Sequence, residues 1–274
     1  MRGSLGEKIG EGASADIHAW APGQVVKLFK ADVPRRVSWW EARMTRAVFA
    51  AGAPAPEVFD EVTLEGRFGI VFSRLDGPTL LQLFQTRAVT SEQVGAILAT
   101  LYASVHKTPP PPDVVSLRDW IDAVSRTSRD ILPEHIATGV LTLIDRLPPE
   151  DGLCHADLHP GNVIMTADGP RIIDWLCALR ASAVFEIARA HVTLSELVPE
   201  DADPEPRRAI NAAVQSEYAQ LAGMSPAALT AAMQPYLPIL RAFVLLQRRR
   251  ADTPAQRERL IQRVEAALRP EDPI

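Results

Sequence analysis

The sequence predicts an α+β fold in two lobes: a small antiparallel-sheet lobe over residues 1–75, then a large, mainly helical lobe over 76–274. Three observations carry this expectation. The first third holds short β-rich runs punctuated by Gly-rich and Pro-Gly turns. After Asp76-Gly77-Pro78 the apolar residues switch to a helical period. From Ala183 onward the chain is rich in Ala, Leu, Arg and Glu. With 47% hydrophobic and 23% charged residues in 274, the composition is that of a globular chain and excludes a fully disordered or fibrous one.

Taken in order, residues 5–10 and 15–20 read as strands around Gly10-Glu11-Gly12, and Pro22-Gly23 turns the chain into the β-rich run 25–30. Pro34 then opens a helix over 35–51, which Gly52 and Pro54 close. Two further strands, 58–62 and 68–73, flank Glu65-Gly66. In the second lobe, apolar residues at 94, 97, 98, 101 and 105 give residues 91–106 a helical face. The four prolines of 109–112 make a stiff surface linker, and 116–129 and 133–147 read as helices. Residues 153–174 break the helical pattern with short apolar pairs around polar positions, a loop followed by a small hairpin.

Several function classes are disfavoured. No run approaches the ~18 apolar residues of a membrane span, and Glu7, Lys8, Glu11 and Asp16 interrupt any signal-peptide core. Cys154 and Cys177 are too few for a disulfide framework, so a cytoplasmic protein with reduced thiols is expected. The net charge is −5, and no block of like charge exceeds Arg248-Arg249-Arg250, which disfavours nucleic acid as a partner. Residues 1–75 carry 10 Lys+Arg against 9 Asp+Glu, and 76–274 carry 19 against 25, so the acidic excess belongs to the second lobe.

The chemistry is written in three places. Gly10-Glu11-Gly12-Ala13-Ser14-Ala15 is a Gly-rich turn, and a strand rather than a helix follows it. That excludes a dinucleotide fold, and fits a hairpin laid over ATP phosphates. Lys27, one of four lysines, sits inside the apolar run Val25–Phe29, where it needs an anionic partner; Glu41 on the following helix can supply one. In His155-Ala156-Asp157-Leu158-His159-Pro160-Gly161-Asn162 the Asp and Asn are spaced as the base and the metal ligand of a kinase catalytic loop. Twelve residues on, Arg171-Ile172-Ile173-Asp174-Trp175 ends an apolar strand in a carboxylate suited to Mg²⁺.

With its HxDxHxxN loop and Ile-Asp-Trp motif, the chain resembles the aminoglycoside phosphotransferase / choline kinase-like family, small-molecule kinases with a protein-kinase-like fold. The likeness spans roughly residues 5–190. The resemblance implies that Gly10, Gly12 and Ser14 lie over the phosphates, with Lys27 gripping them and Glu41 orienting Lys27. It implies adenine contacts from the backbone of Ser73 and Leu75. It makes Asp157 the catalytic base and Asn162 and Asp174 the Mg²⁺ ligands, with ATP and Mg²⁺ as cofactors. His155 and His159 shape the loop. Residues 1–75 would be the nucleotide-binding lobe and 76–274 the catalytic and acceptor-binding lobe.

The chain departs from the family after the Ile-Asp-Trp motif, where Glu186 stands in for a bracing Asp. The expected reaction is transfer of the γ-phosphoryl group to a hydroxyl of a small molecule. The acidic positions Glu186, Glu196, Glu200, Asp201, Asp203 and Glu205, against Arg189 alone, point to a cationic acceptor such as an aminoglycoside or an amino-alcohol. Two other readings compete. One is a pseudokinase that holds nucleotide without transfer, and the other a metal hydrolase using His155, Asp157 and His159.

Overall fold

Five strands build the sheet that the first third of the sequence predicts: β1 (Lys8–Glu11), β2 (Ala15–Ala19), β3 (Gln24–Phe29), β4 (Val58–Leu64) and β5 (Arg67–Ser73). The computed structural model describes residues 5–127, 133–147, 152–195 and 203–247, with positions 258, 261, 262, 264–266 and 268. Every pairing is antiparallel and the order is β1-β2-β3-β5-β4. Pleating sends alternate residues to opposite faces. Val25 and Phe29 therefore share a face with Lys27, and they pack with Ala15, Ala42, Ile70 and Phe72.

Helix α1 (Arg35–Ala50) covers that face. Pro34 precedes it with φ −65°, and the buried positions Ser38, Glu41, Ala42, Thr45 and Val48 recur at helical spacing. The buried hydroxyls are satisfied locally: Ser38 Oγ donates to the Arg35 carbonyl at 2.9 Å and Thr45 Oγ1 to the Glu41 carbonyl at 2.8 Å. The turn between β4 and β5 puts Glu65 and Gly66 at φ 50° and 77°, the left-handed pair that a two-residue hairpin requires.

The chain forms two compact units. The first combines the described residues up to Thr90 with Lys107–Val114 and His155–Ala178. It therefore holds the sheet, α1, a short helix α2 (Leu80–Gln85) and the hairpin of strands Val163–Thr166 and Gly169–Ile172. Helix α2 is absent from the sequence reading because six residues are too few to show a period. Its signal is a capping box, in which Gln82 N–H donates to Thr79 Oγ1 and the Thr79 amide to Gln82 Oε1.

The hairpin is tied to the segments before β4 and after β5. Met165 N–H donates to the Pro78 carbonyl at 2.9 Å, and Ile172 N–H to the Pro54 carbonyl at 2.7 Å. Gly77 makes the first tie possible. It sits at φ 152°, and a Cβ there would come within 2.1 Å of the Met165 carbonyl oxygen. Neither backbone can yield without losing the Pro78–Met165 bond. Gly77→Ala is expected to destabilise the protein by about 3 kcal/mol, read as a drop in thermal midpoint.

The second unit takes 91–106, 115–154 and the described residues from 179 on. It contains α3 (Ser91–Lys107, less its last residue), α4 (Leu117–Thr127), α5 (Glu134–Ile144), α6 (Ala183–Ser195), α7 (Glu205–Leu221), α8 (Pro226–Met233) and α9 (Leu237–Gln247). Strand Gly152–Cys154 pairs antiparallel with strand Leu179–Ala181. In strand order these two are β6 and β9, and the hairpin strands between them are β7 and β8. The expected helix 116–129 ends its described part at Thr127, and residues 128 and 129 lie outside the described residues. Helices α3 and α7 approach closely at Gly95, where a Cβ would meet the Ala213 Cβ at 2.4 Å.

Candidate active site

Lys27 occupies β3, the middle strand of the five, between Ile17 on β2 and Ile70 on β5. A position paired on both sides excludes the solvent-facing edge lysine, and its side chain is 13% exposed. Sharing a face with Val25 and Phe29, it points at α1. There Nζ lies 2.7 and 2.8 Å from the two oxygens of Glu41, whose side chain is 2% exposed. Asp174 Oδ1 lies 3.4 Å from the same Nζ, and the Asp174 side chain is 40% exposed. Lys27 is thus held from below by a buried carboxylate and reaches a second one that is open to solvent.

Burial alone would lower the Lys27 ammonium; Glu41 and Asp174 outweigh it and hold the group above its ordinary 10.5. Burial pushes the Glu41 carboxyl from 4.5 up to about 6, against the pull of Lys27. Because the folded value exceeds the unfolded one, this group's contribution to stability is fully present below about 4.5 and is lost as pH rises through about 6. Activity runs the other way. Protonating Glu41 removes the carboxylate that aims Lys27, so turnover is expected to fall as pH drops through about 6. A pH profile of kcat/KM checks this, and Glu41→Gln is expected to abolish the inflection while lowering the plateau.

The loop after β6 is shaped by its own side chains. His155 Nδ1 accepts from Asp157 N–H at 3.1 Å, which leaves Nε2–H to donate to the Ile173 carbonyl at 3.0 Å. The ring also meets Trp175 edge-on, 4.7 Å between centroids, and Trp175 Nε1–H donates to the Ile172 carbonyl at 2.8 Å. His159 Nδ1 accepts from Gly161 N–H at 3.1 Å. His155 thus uses both ring nitrogens on backbone, and His159 uses Nδ1. This disfavours the metal-hydrolase reading: among the described residues, the ligand atoms that come together are those of His106, Cys154 and Glu186, not those of His155, Asp157 and His159.

Two residues of this region hold left-handed backbone without being glycine. Ala156, just before Asp157, has φ 58°, and Asp174 has φ 66°. Such conformations are costly for a side-chain-bearing residue and persist where surrounding bonds enforce them. Here those bonds are the His155–Ile173 contact and the donation of Ile173 N–H to the Asn162 carbonyl at 2.9 Å. Sequence reasoning missed Ala156, because alanine carries no left-handed signal.

Asn162 is buried, and its Nδ2 donates to the Asp157 carbonyl at 3.0 Å, so its Oδ1 is turned the other way as an oxygen donor. With the Asp174 carboxylate, bonded through its neighbour's amide to Asn162, this is an all-oxygen pair of the kind Mg²⁺ takes. Asn162 and Asp174 fit that ion by donor chemistry.

On the β1–β2 hairpin, Gly10 lies in β1 while Gly12 and Ser14 are exposed in the turn. Gly12 N–H closes the hairpin on the Ala15 carbonyl at 2.8 Å, and the Ser14 carbonyl accepts from Lys30 N–H. A Cβ on Gly12 would meet only the Ala15 oxygen at 3.5 Å, so packing within the hairpin does not demand a glycine there. Ser73 N–H is given to the Glu57 carbonyl at 2.9 Å, which leaves the carbonyl as the group Ser73 can offer a base; Leu75 follows the strand. Of the acidic positions after α6, Glu196, Glu200 and Asp201 lie outside the described residues. Asp203 Oδ1 accepts from Glu205 N–H at the start of α7, a structural use.

A model of the phosphotransferase enzyme family matches residues 6–224. The chain belongs to this family. The phosphotransferase is similar over 97% of its length, and 93% of the other's, to an ADP-bound aminoglycoside phosphotransferase APH(2'')-Ib, with 17% identity and a TM-score of 0.54. It is similar to APH(2'')-IIa in a complex with gentamicin at 16% identity, covering 98% and 92% of the two chains, TM-score 0.54. A third similar structure is the aminoglycoside phosphotransferase APH(3'')-Id from Streptomyces rimosus, at 20% identity over 84% and 92%, TM-score 0.52. These likenesses establish the protein-kinase-like fold of the phosphotransferase. No curated protein matches the sequence.

Proposed function

We propose that this phosphotransferase moves the γ-phosphoryl group of ATP to a hydroxyl of a small cationic alcohol, of the aminoglycoside or amino-alcohol type. The observation that carries the reading is the Lys27 ammonium, fixed on the central strand by Glu41 at 2.7 Å and reaching Asp174 at 3.4 Å. Residues 1–75 act as the nucleotide lobe: Gly10, Gly12 and Ser14 lie over the phosphates, Lys27 grips them, and the backbone of Ser73 and Leu75 meets the adenine. Residues 76–274 act as the catalytic and acceptor lobe. Asn162 and Asp174 would hold Mg²⁺, which supplies neutralisation of the phosphate oxygens. Asp157 orients the acceptor hydroxyl and accepts its proton as the bond to phosphorus forms. Little covalent chemistry falls to the protein, so positioning and charge carry the rate.

The supporting parallels are structures of related fold with gentamicin bound in one and ADP in another. The test is consumption of ATP, and of GTP in parallel, across aminoglycosides, macrolides, choline-like amines, amino-alcohols and sugars. Acceptor-dependent turnover with a cationic alcohol, and a product heavier by one phosphoryl group, are expected. Nucleotide binding without turnover for any acceptor would leave a pseudokinase instead. With the best acceptor in hand, Glu200→Lys combined with Asp201→Lys is expected to raise its KM in a salt-sensitive manner and leave the ATP KM unmoved.

A further inference from the structure

Inside the helical unit, three side chains from distant parts of the sequence converge. They are His106 near the end of α3, Cys154 at the end of β6 and Glu186 in the first turn of α6. Their ligand atoms all lie within 4.8 Å of one another. The side chains of His106 and Glu186 are 6% and 2% exposed, and Cys154 is 0% exposed. We propose that His106, Cys154 and Glu186 form a zinc-type transition-metal site, sharing no ligand with the Asn162–Asp174 pair.

The donor set selects the metal. A thiolate and an imidazole beside one carboxylate favour Zn²⁺ or Co²⁺ and disfavour Mg²⁺, which takes oxygen ligands. Charge selects it as well. A divalent ion with one thiolate, one carboxylate and a neutral imidazole sums to zero, the state that a water-free interior tolerates. Ligands around one tetrahedral zinc lie roughly 3.5 Å apart, so the present spread closes with side-chain movements of about an ångström. Glu186 Oε2 already lies 2.7 Å from His106 Nε2, so the ion enters by parting that pair.

The surroundings fix the imidazole as a ligand. Its other nitrogen, Nδ1, lies 2.8 Å from the Tyr218 hydroxyl, and its ring is stacked on Tyr102 and edge-on to Tyr218. A phenol hydroxyl can donate to Nδ1 or accept from it. As an ion takes the place of the proton between Nε2 and Glu186, that proton moves to Nδ1 and is donated to the Tyr218 oxygen, the outer-sphere bond of a metal-bound histidine. The Cys154 thiol, whose sulfur lies a long 3.8 and 3.7 Å from the Ala181 and Ser182 carbonyls, gives up its proton to solvent. One proton is released per ion.

The experiment is metal analysis and Co²⁺ substitution of the full chain, purified without a histidine tag and refolded with Zn²⁺ or Co²⁺. About one zinc per chain is expected, together with a thiolate-to-cobalt charge-transfer band in the near ultraviolet. The band persists in Cys177→Ser and vanishes in Cys154→Ser, and zinc raises the thermal midpoint of the wild type and of Cys177→Ser but not of Cys154→Ser. Folded wild-type protein with under a tenth of an equivalent of zinc and no charge-transfer band overturns the site. So does a band that survives in folded Cys154→Ser. If Cys154→Ser does not fold, the wild-type band and its persistence in Cys177→Ser decide.

Discussion

Replacing Asp174 or Asp157 with alanine is expected to cut turnover by at least ~10³ while the fold survives. Asp174 is the carboxylate at which the buried Lys27 charge meets solvent, 3.4 Å from Nζ, and it is bonded through Ile173 N–H to Asn162. Removing it takes away one of the two anions that hold the ammonium and, on the proposed function, an oxygen ligand of Mg²⁺. Asp157 is partly exposed in a loop whose shape comes from His155 and Asn162, so its truncation leaves the loop's backbone bonds in place. Circular dichroism with a coupled assay of ATP consumption reads both results. Residual turnover above a tenth of wild type in either variant would remove that residue from the chemistry.

Lys27→Met is expected to lower kcat/KM for ATP by about 10²–10³ and to lower stability as well. The stability loss has a separate origin: Glu41 remains buried against α1 without its cation, and breaking a buried pair costs about 3–5 kcal/mol, softened by Glu41 taking up a proton. Lys27→Met with Glu41→Gln therefore recovers much of the thermal midpoint and none of the activity. If Lys27→Met binds nucleotide as tightly as wild type, judged by nucleotide-induced thermal shift, the phosphate-gripping role falls.

Lys27 was legible because strand pleating places Val25, Lys27 and Phe29 on one face, and a lone lysine between two core residues demands an anion. Asp157, Asn162 and Asp174 stood out by their local spacing, and the structure ties Asn162 to the backbone of Asp157 and of Ile173, the neighbour of Asp174. What escaped depends on backbone torsion or distant approach. Ala156 at φ 58° has no compositional mark. The anchoring of the β7–β8 hairpin on the Pro54 and Pro78 carbonyls uses backbone groups that every residue possesses. His106 and Glu186 lie 80 positions apart, and the sequence showed His106 only as one of several scattered histidines. Their meeting is a product of how α3, α6 and α7 pack, which periodicity within each helix does not state.

The composite make-up of the first unit bears on how the protein is made. Its sheet and α1 leave the ribosome early, but its last stretch, His155–Ala178, is encoded long after. Asp174 follows Lys27 by 147 positions. At ~5–20 residues per second, Asp174 is added about seven to thirty seconds after Lys27. During that interval the Lys27–Glu41 pair can form while its third member does not yet exist. The Lys27–Glu41–Asp174 cluster is therefore assembled late in synthesis, after most of the intervening helices have emerged, and a truncated message yields a sheet without it.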